Sequence, residues 1–264
     1  LEWICEERQR FAIVAGVEGV GKSHLSTMAL RRFSGLGAEA VLLSLRGMPE
    51  GEWLQFLIER LPLDHASRCE PITNWQKLEN RLRENRLMER PSVILVDDID
   101  QAPADTVSGI ERLVHSAEPR FSWTTVVGTA TTSSLSNIPE SLRKQAALRI
   151  LLEPWDSDDV RAFLSDSIQR VGGDPTIIPS ATADTITRFS SGLPRLVSRL
   201  THLSLAAAAG DGLRHLDSST VERVWRELYP VDEYSDPLTR TDAGHSRRLE
   251  RPAGRVRAVR KLFE

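Results

Sequence analysis

The chain has 264 residues, 40% hydrophobic and 27% charged, with a formal net charge of −3, and reads as a globular protein with one large or two modest cores. No apolar run approaches the roughly 20 residues of a membrane-spanning helix, and the opening Leu1-Glu-Trp-Ile-Cys-Glu-Glu-Arg8 lacks a signal-peptide pattern, so a cytoplasmic location is expected. Cys5 and Cys69, the two cysteines, have no His or Cys at metal spacing, which excludes a disulfide framework and a zinc site and leaves reduced, structural thiols.

The first apolar run, Phe11-Ala-Ile-Val-Ala15, leads into Gly16-Val-Glu-Gly-Val-Gly-Lys22-Ser23, which matches the phosphate-binding pattern G-x-x-x-x-G-K-[ST]. Glycines let backbone N–H groups turn inward around phosphates, and the N-terminus of a following helix adds partial positive charge. The candidate nucleotide-binding residues are Gly16, Val17, Glu18, Gly19, Val20, Gly21, Lys22, Ser23 and His24. Lys22 would face the β/γ-phosphates of ATP, and Ser23 a Mg²⁺ ion. A glycine-rich turn with an incidental lysine is the alternative, disfavoured by the strand before and the helical pattern after. His24 is expected to pack within that helix.

Further β-type runs fall at 39–45, 92–96, 123–128 and 148–152, with amphipathic helical patterns at about 23–34, 51–60, 73–88, 103–117 and 138–146. Five strands with helical crossovers imply a mostly parallel sheet covered on both faces, its ligand beyond the carboxyl ends of the strands. After Pro154 the β signal stops. Helices are expected at about 157–171, 181–191, 194–209 and 218–228, with Asp156-Ser-Asp-Asp159 as caps and Ser219-Thr-Val-Glu222 as a capping box. The expected domains are a nucleotide-binding core at 1–153, a helical lid at 154–228 and a basic, flexible tail at 229–264. Residues 240–261 hold eight Arg or Lys against two acids, a local +6 beside −9 elsewhere. Docking of this tail on an acidic face or simple solvation is favoured over nucleic acid or a membrane surface. Six tryptophans scattered at element ends read as packing rather than as a base-stacking platform.

The run at 92–96 ends in Asp97-Asp98-Ile-Asp100. In triphosphate hydrolases an acid at such a strand end holds the Mg²⁺ shell and a following carboxylate polarises the attacking water, roles that suit Asp97 and Asp98. Alone, such a cluster is equally a helix-capping signal.

With both halves in order, residues 1–228 resemble the AAA+ ATPases, particularly the bacterial general secretion pathway protein A type, with cousins among origin-recognition, initiator and transposition ATPases. The residues behind the resemblance are 16–23, Leu95-Val-Asp-Asp-Ile99, Gly128-Thr129 and Ser191-Gly-Leu-Pro-Arg195. It implies an α/β P-loop NTPase fold with a five-stranded, mostly parallel sheet and a C-terminal helical lid. It further implies that Arg195 senses the γ-phosphate from the lid and that Thr129, or less securely Thr131, positions water. An arginine given to a neighbouring subunit would be Arg143, or more weakly Arg149. Asp98 is one methylene shorter than the Glu often found there, which leaves the rate of hydrolysis open.

The expected function is Mg·ATP binding and hydrolysis coupled to a conformational switch, acting on a secretion-type protein partner and possible as a homo-oligomer. The alternative is a nucleotide-gated DNA adaptor or loader with slow hydrolysis. A small-molecule kinase is disfavoured by the lid pattern.

Overall fold

Successive side chains of a strand point to opposite faces, and the runs in the first half of this chain are apolar on both. Phe11 and Ile13 enter one core cluster while Ala12 and Val14 enter another, and Ile94 and Val96 part from Val93 and Leu95 in the same way. A sheet of such strands has to be covered on both sides, the situation of parallel sheets. In the computed structural model, which describes residues 1–63, 72–116 and 123–229, β1 (Phe11–Gly16), β2 (Glu39–Ser44), β3 (Ser92–Asp97), β4 (Thr124–Thr131) and β5 (Leu148–Leu152) form one sheet in the order β2-β3-β4-β1-β5. Every neighbouring pair is parallel. Cys69 and the basic tail from residue 230 on lie outside the described residues.

One face is covered by α1 (Glu2–Glu6) and α2 (Lys22–Gly35), which bring Ile4, Ala29 and Phe33 against the sheet. The other takes α3 (Trp53–Arg60), α4 (Asn74–Leu87) and α5 (Ala104–Ser116) through Leu57, Leu78 and Ile110. Each of the buried Ile, Leu and Phe side chains among them stabilises the fold by about 1.5–3 kcal/mol. Cys5 is a free, half-buried thiol packed on the first of these faces, and burial pushes its pKa up. Residues Glu140–Gln145 form the short α6.

Strand β4 is longer than its apolar run suggests. It reaches Thr131 because its last residues pair with the end of β1, Thr131 opposite Gly16. β2 and β5 are the sheet edges, and on β5 Arg149 and Leu151 are exposed between the partly buried Leu148, Ile150 and Leu152.

The chain divides into two compact units, Leu1–Glu153 and Pro154 onward. The second is built from α7 (Ser157–Arg170), α8 (Ser180–Ser190), α9 (Pro194–Gly210) and α10 (Ser218–Leu228) around Val160, Ile186, Val197, Leu200 and Val221. Asp156 caps α7 in a reciprocal box with Asp159. The box expected at Ser219 and Glu222 does not form. Asp217 accepts the Thr220 N–H at 2.8 Å and starts the helix two residues earlier, since aspartate caps as well as serine. Glu222 instead pairs with Arg188 and Arg226. Four of the tryptophans pack against other rings: Trp53 against Trp75, Trp155 against Phe163, and Trp225 against Phe189 and Tyr229.

Between α8 and α9, Gly192 has φ +68°, and its carbonyl accepts the Trp155 N–H at 2.8 Å. A Cβ there would lie 2.0 Å from the Trp155 carbonyl oxygen. Backbone cannot give way as a flexible side chain does, so Gly192→Ala is expected to destabilise the helical unit by about 2–4 kcal/mol. Urea unfolding followed by tryptophan fluorescence checks this, and a loss below about 0.5 kcal/mol would contradict the tight approach.

Candidate functional site

β1 stops at Gly16 and α2 starts at Lys22, so the intervening loop must reverse within five residues. Gly19 (φ 82°) and Gly21 (φ 103°) supply left-handed backbone that side chains with a Cβ rarely adopt. Lys22 is 7% exposed, and its Nζ donates to the carbonyls of Gly16 at 2.9 Å and Val17 at 3.1 Å, tying the end of the strand to the start of the helix. Burial lowers the pKa of this ammonium, and the carboxylates of Asp98, Asp100, Asp97 and Glu18 pull it back up. The lysine of the loop therefore sits in the field of the acids that follow β3. Ser23 and His24 are exposed on the first turn of α2. The expected packing of His24 is not found, because the buried stripe of α2 runs through Lys22, Ser26, Ala29 and Phe33 and position 24 falls off it.

β3 ends at Asp97, and Asp98 turns the chain in the left-handed region (φ 59°) into a 3₁₀ turn at Ile99–Gln101. Thr129 on the adjacent β4, 1% exposed, holds both acids. Its hydroxyl donates to Asp97 Oδ1 at 2.5 Å and accepts the Asp98 N–H at 3.0 Å. Its single proton is spent on Asp97. Asp98 Oδ2 accepts from Arg46 Nε at 2.9 Å, and Arg46 also approaches Glu18 of the loop at 4.0 Å. Thr131 donates its backbone N–H to Asp100 Oδ2.

Among the described residues no group of three or more His, Cys, Asp or Glu is gathered as a metal cage. Mg²⁺ needs only one or two protein oxygens beside phosphates. The exposed hydroxyl of Ser23 and the second carboxylate oxygen of Asp97 fit that donor set.

No protein-family model matches the chain, and no curated protein matches it by sequence. Solved structures do match. The Aeropyrum pernix ORC2 protein in ADPNP-ADP complexes is similar at TM-score 0.65 and 12% identity, over 86% of this chain and 64% of that one. The Thermotoga maritima RuvB Holliday junction branch migration motor aligns at TM-score 0.60 and 18% identity, over 90% and 69%. The Aeropyrum pernix ORC1 protein in complex with DNA gives 0.60 and 15%, over 83% and 59%. This is the AAA+ P-loop NTPase fold. The chain spans about two thirds of the length of these neighbours.

The sheet order brings Gly16, Asp97, Asp98 and Thr129 to one edge, the carboxyl ends of β1, β3 and β4. Arg143 lies on α6, partly buried, with Nε donating to the Ile138 carbonyl at 3.0 Å, and its own carbonyl accepts from Arg149 Nη2 at 2.5 Å. Arg195 is exposed at the second residue of α9, in the second unit. Arg46, which meets Asp98, escapes a reading by motif, and Asp100, though inside the acidic run, is given no role by it. The signal that could have found Arg46 is its place just past the carboxyl end of β2, where ligands of open parallel sheets bind.

Because Thr129 serves two buried partners with one hydroxyl, Thr129→Val is expected to cost about 1–3 kcal/mol of stability, while Thr129→Ser stays within about 1 kcal/mol of wild type. Urea denaturation of the three proteins measures the difference. Equal stability of the valine variant and wild type would contradict the bridging role.

Proposed function

We propose that this chain binds Mg·ATP on the loop Gly16–Ser23 and hydrolyses it, and that turnover switches its conformation to act on a macromolecular partner. The observation that carries this is the buried Lys22, held at the mouth of a glycine loop within the field of the β3 carboxylates. In the proposal, Gly16 to Gly21 present backbone N–H groups to the phosphates and Lys22 gives up its loop carbonyls to neutralise them, with His24 flanking the loop. Asp97 and Ser23 hold Mg²⁺, which offsets phosphate charge in the in-line transfer. Asp98 accepts a hydrogen bond from the attacking water and orients it, which requires its carboxylate to share or release Arg46. Thr129 steadies that pair. Arg195 reads the γ-phosphate, and Arg143 completes the site of a neighbouring copy in a homo-oligomer.

The ADPNP-ADP complexes named for one neighbour, and the DNA and Holliday junction named for others, support nucleotide-driven action on a macromolecule. They favour neither a secretion-type assembly nor DNA. Among the described residues no helix is long and apolar enough to cross a membrane.

Lys22→Ala is expected to lose the thermal stabilisation that wild type gains from ATP and Mg²⁺, because the mobile charge facing the phosphates is gone. Equal stabilisation of both proteins would remove the loop from the proposal. Asp98→Asn is expected to keep ATP binding and lose at least about 100-fold in turnover. Turnover per subunit should rise with protein concentration in wild type and stay flat in Arg143→Ala. Flat turnover in wild type, with unchanged mass in ATP, would leave Arg143 a surface charge.

A further inference from the structure

We infer that Asp100 is a positioning residue, which fixes the tip of β4, and through it the first glycine of the phosphate loop, relative to the paired carboxylates at the end of β3. The role in turnover rests on the nucleotide-site reading above; the geometry stands without it.

The backbone ladder between β3 and β4 ends at the pair Val96 and Gly128. Beyond that point the two chains are joined through side chains. Thr129 makes the first link, to Asp97 and the Asp98 N–H. Asp100 makes the next: its Oδ2 accepts the Thr131 N–H at 3.1 Å, and its carbonyl accepts from Asn137 Nδ2 at 3.2 Å. On its other side Thr131 is the register partner of Gly16. The contacts Gly16 to Thr131 to Asp100 therefore cross from β1 through β4 to the turn after β3, and they set the spacing between the loop that would hold phosphate and the acids that would hold metal and water.

A carboxylate is an expensive way to make one backbone hydrogen bond. Asp100 is 5% exposed, has no ion pair among the described residues, and its Oδ1 accepts no hydrogen bond. Burying a charge so is costly unless something compensates it. Glu39 on β2, buried to the same degree, shows the ordinary solution, with Arg81 at 2.6 Å and Arg90 at 3.4 Å. Near the same edge, the ammonium of Lys22 feels the carboxylates of Asp98, Asp100 and Asp97, which raise its pKa against the lowering by burial. Asp100 is thus bound to the strand tip by a hydrogen bond. Its contacts place it behind the site as support for the groups proposed to react.

The test compares wild type, Asp100→Asn and Asp100→Ala by amide hydrogen exchange at Thr131 and by steady-state ATP hydrolysis. In Asp100→Ala the Thr131 amide is expected to exchange at least about tenfold faster. Its kcat should fall about 10- to 100-fold, the scale of a slight misplacement of reacting groups, with KM for ATP within about twofold. Asp100→Asn keeps an oxygen facing the Thr131 N–H, so it should restore both the protection and most of kcat. Should the alanine variant fail to fold, Asp100→Ser, too short to reach Thr131, takes its place. Wild-type exchange and wild-type kcat in the shortened variant would overturn the inference, as would an asparagine variant that is protected at Thr131 yet as slow as alanine. A wild type without ATP hydrolysis defeats the nucleotide reading instead, and the exchange comparison still decides whether Asp100 holds the strand tip.

Discussion

Pairing of β4 with β1 on one side and β3 on the other is the constraint on which the candidate site depends. The glycine loop leaves from β1 and the acid pair from β3, two strands that are not neighbours in the sheet, and their separation is the width of the strand between them. Parallel strands about 4.8 Å apart fix that width with little freedom. What the ladder cannot fix is the stretch past its last backbone pair, where side chains from β4 and from the turn after β3 take over. A threonine suits that place because one hydroxyl both donates and accepts.

Electrostatics at the same edge are arranged in advance of any ligand. Glu18, Asp97, Asp98 and Asp100 stand against Lys22 and Arg46, and the two cations bind groups of the protein itself: loop carbonyls for Lys22, a carboxylate for Arg46. An ammonium kept on local carbonyls has already given up much of its side-chain freedom.

Local signals account for much of what the sequence made legible. Runs apolar at nearly every position mark strands covered on both faces, as β1 and β3 are, and the edge strands β2 and β5 follow from shorter apolar stretches between the helical patterns. The glycine loop and the aspartate pair are contiguous motifs, so they too can be read from the chain. Long-range choices are different. Whether Asp217 or Ser219 caps α10 depends on where the helix settles against α8, where Glu222 finds Arg188. The exposure of His24 follows from which stripe of α2 faces the sheet, a property of packing rather than of neighbouring residues. Arg46 meets Asp98 across 52 positions, and the left-handed turn at Asp98 has no glycine to announce it.

Among the described residues no strand pairs with the outer side of β5. A strand with an unpaired side is a template for another strand, and proteins blunt such edges by keeping them short and charged. β5 is five residues long, and its second residue is Arg149, whose guanidinium holds the Arg143 carbonyl in the last turn of α6. An incoming strand would have to lie beside that charge. Growth of the sheet past β5 is therefore discouraged.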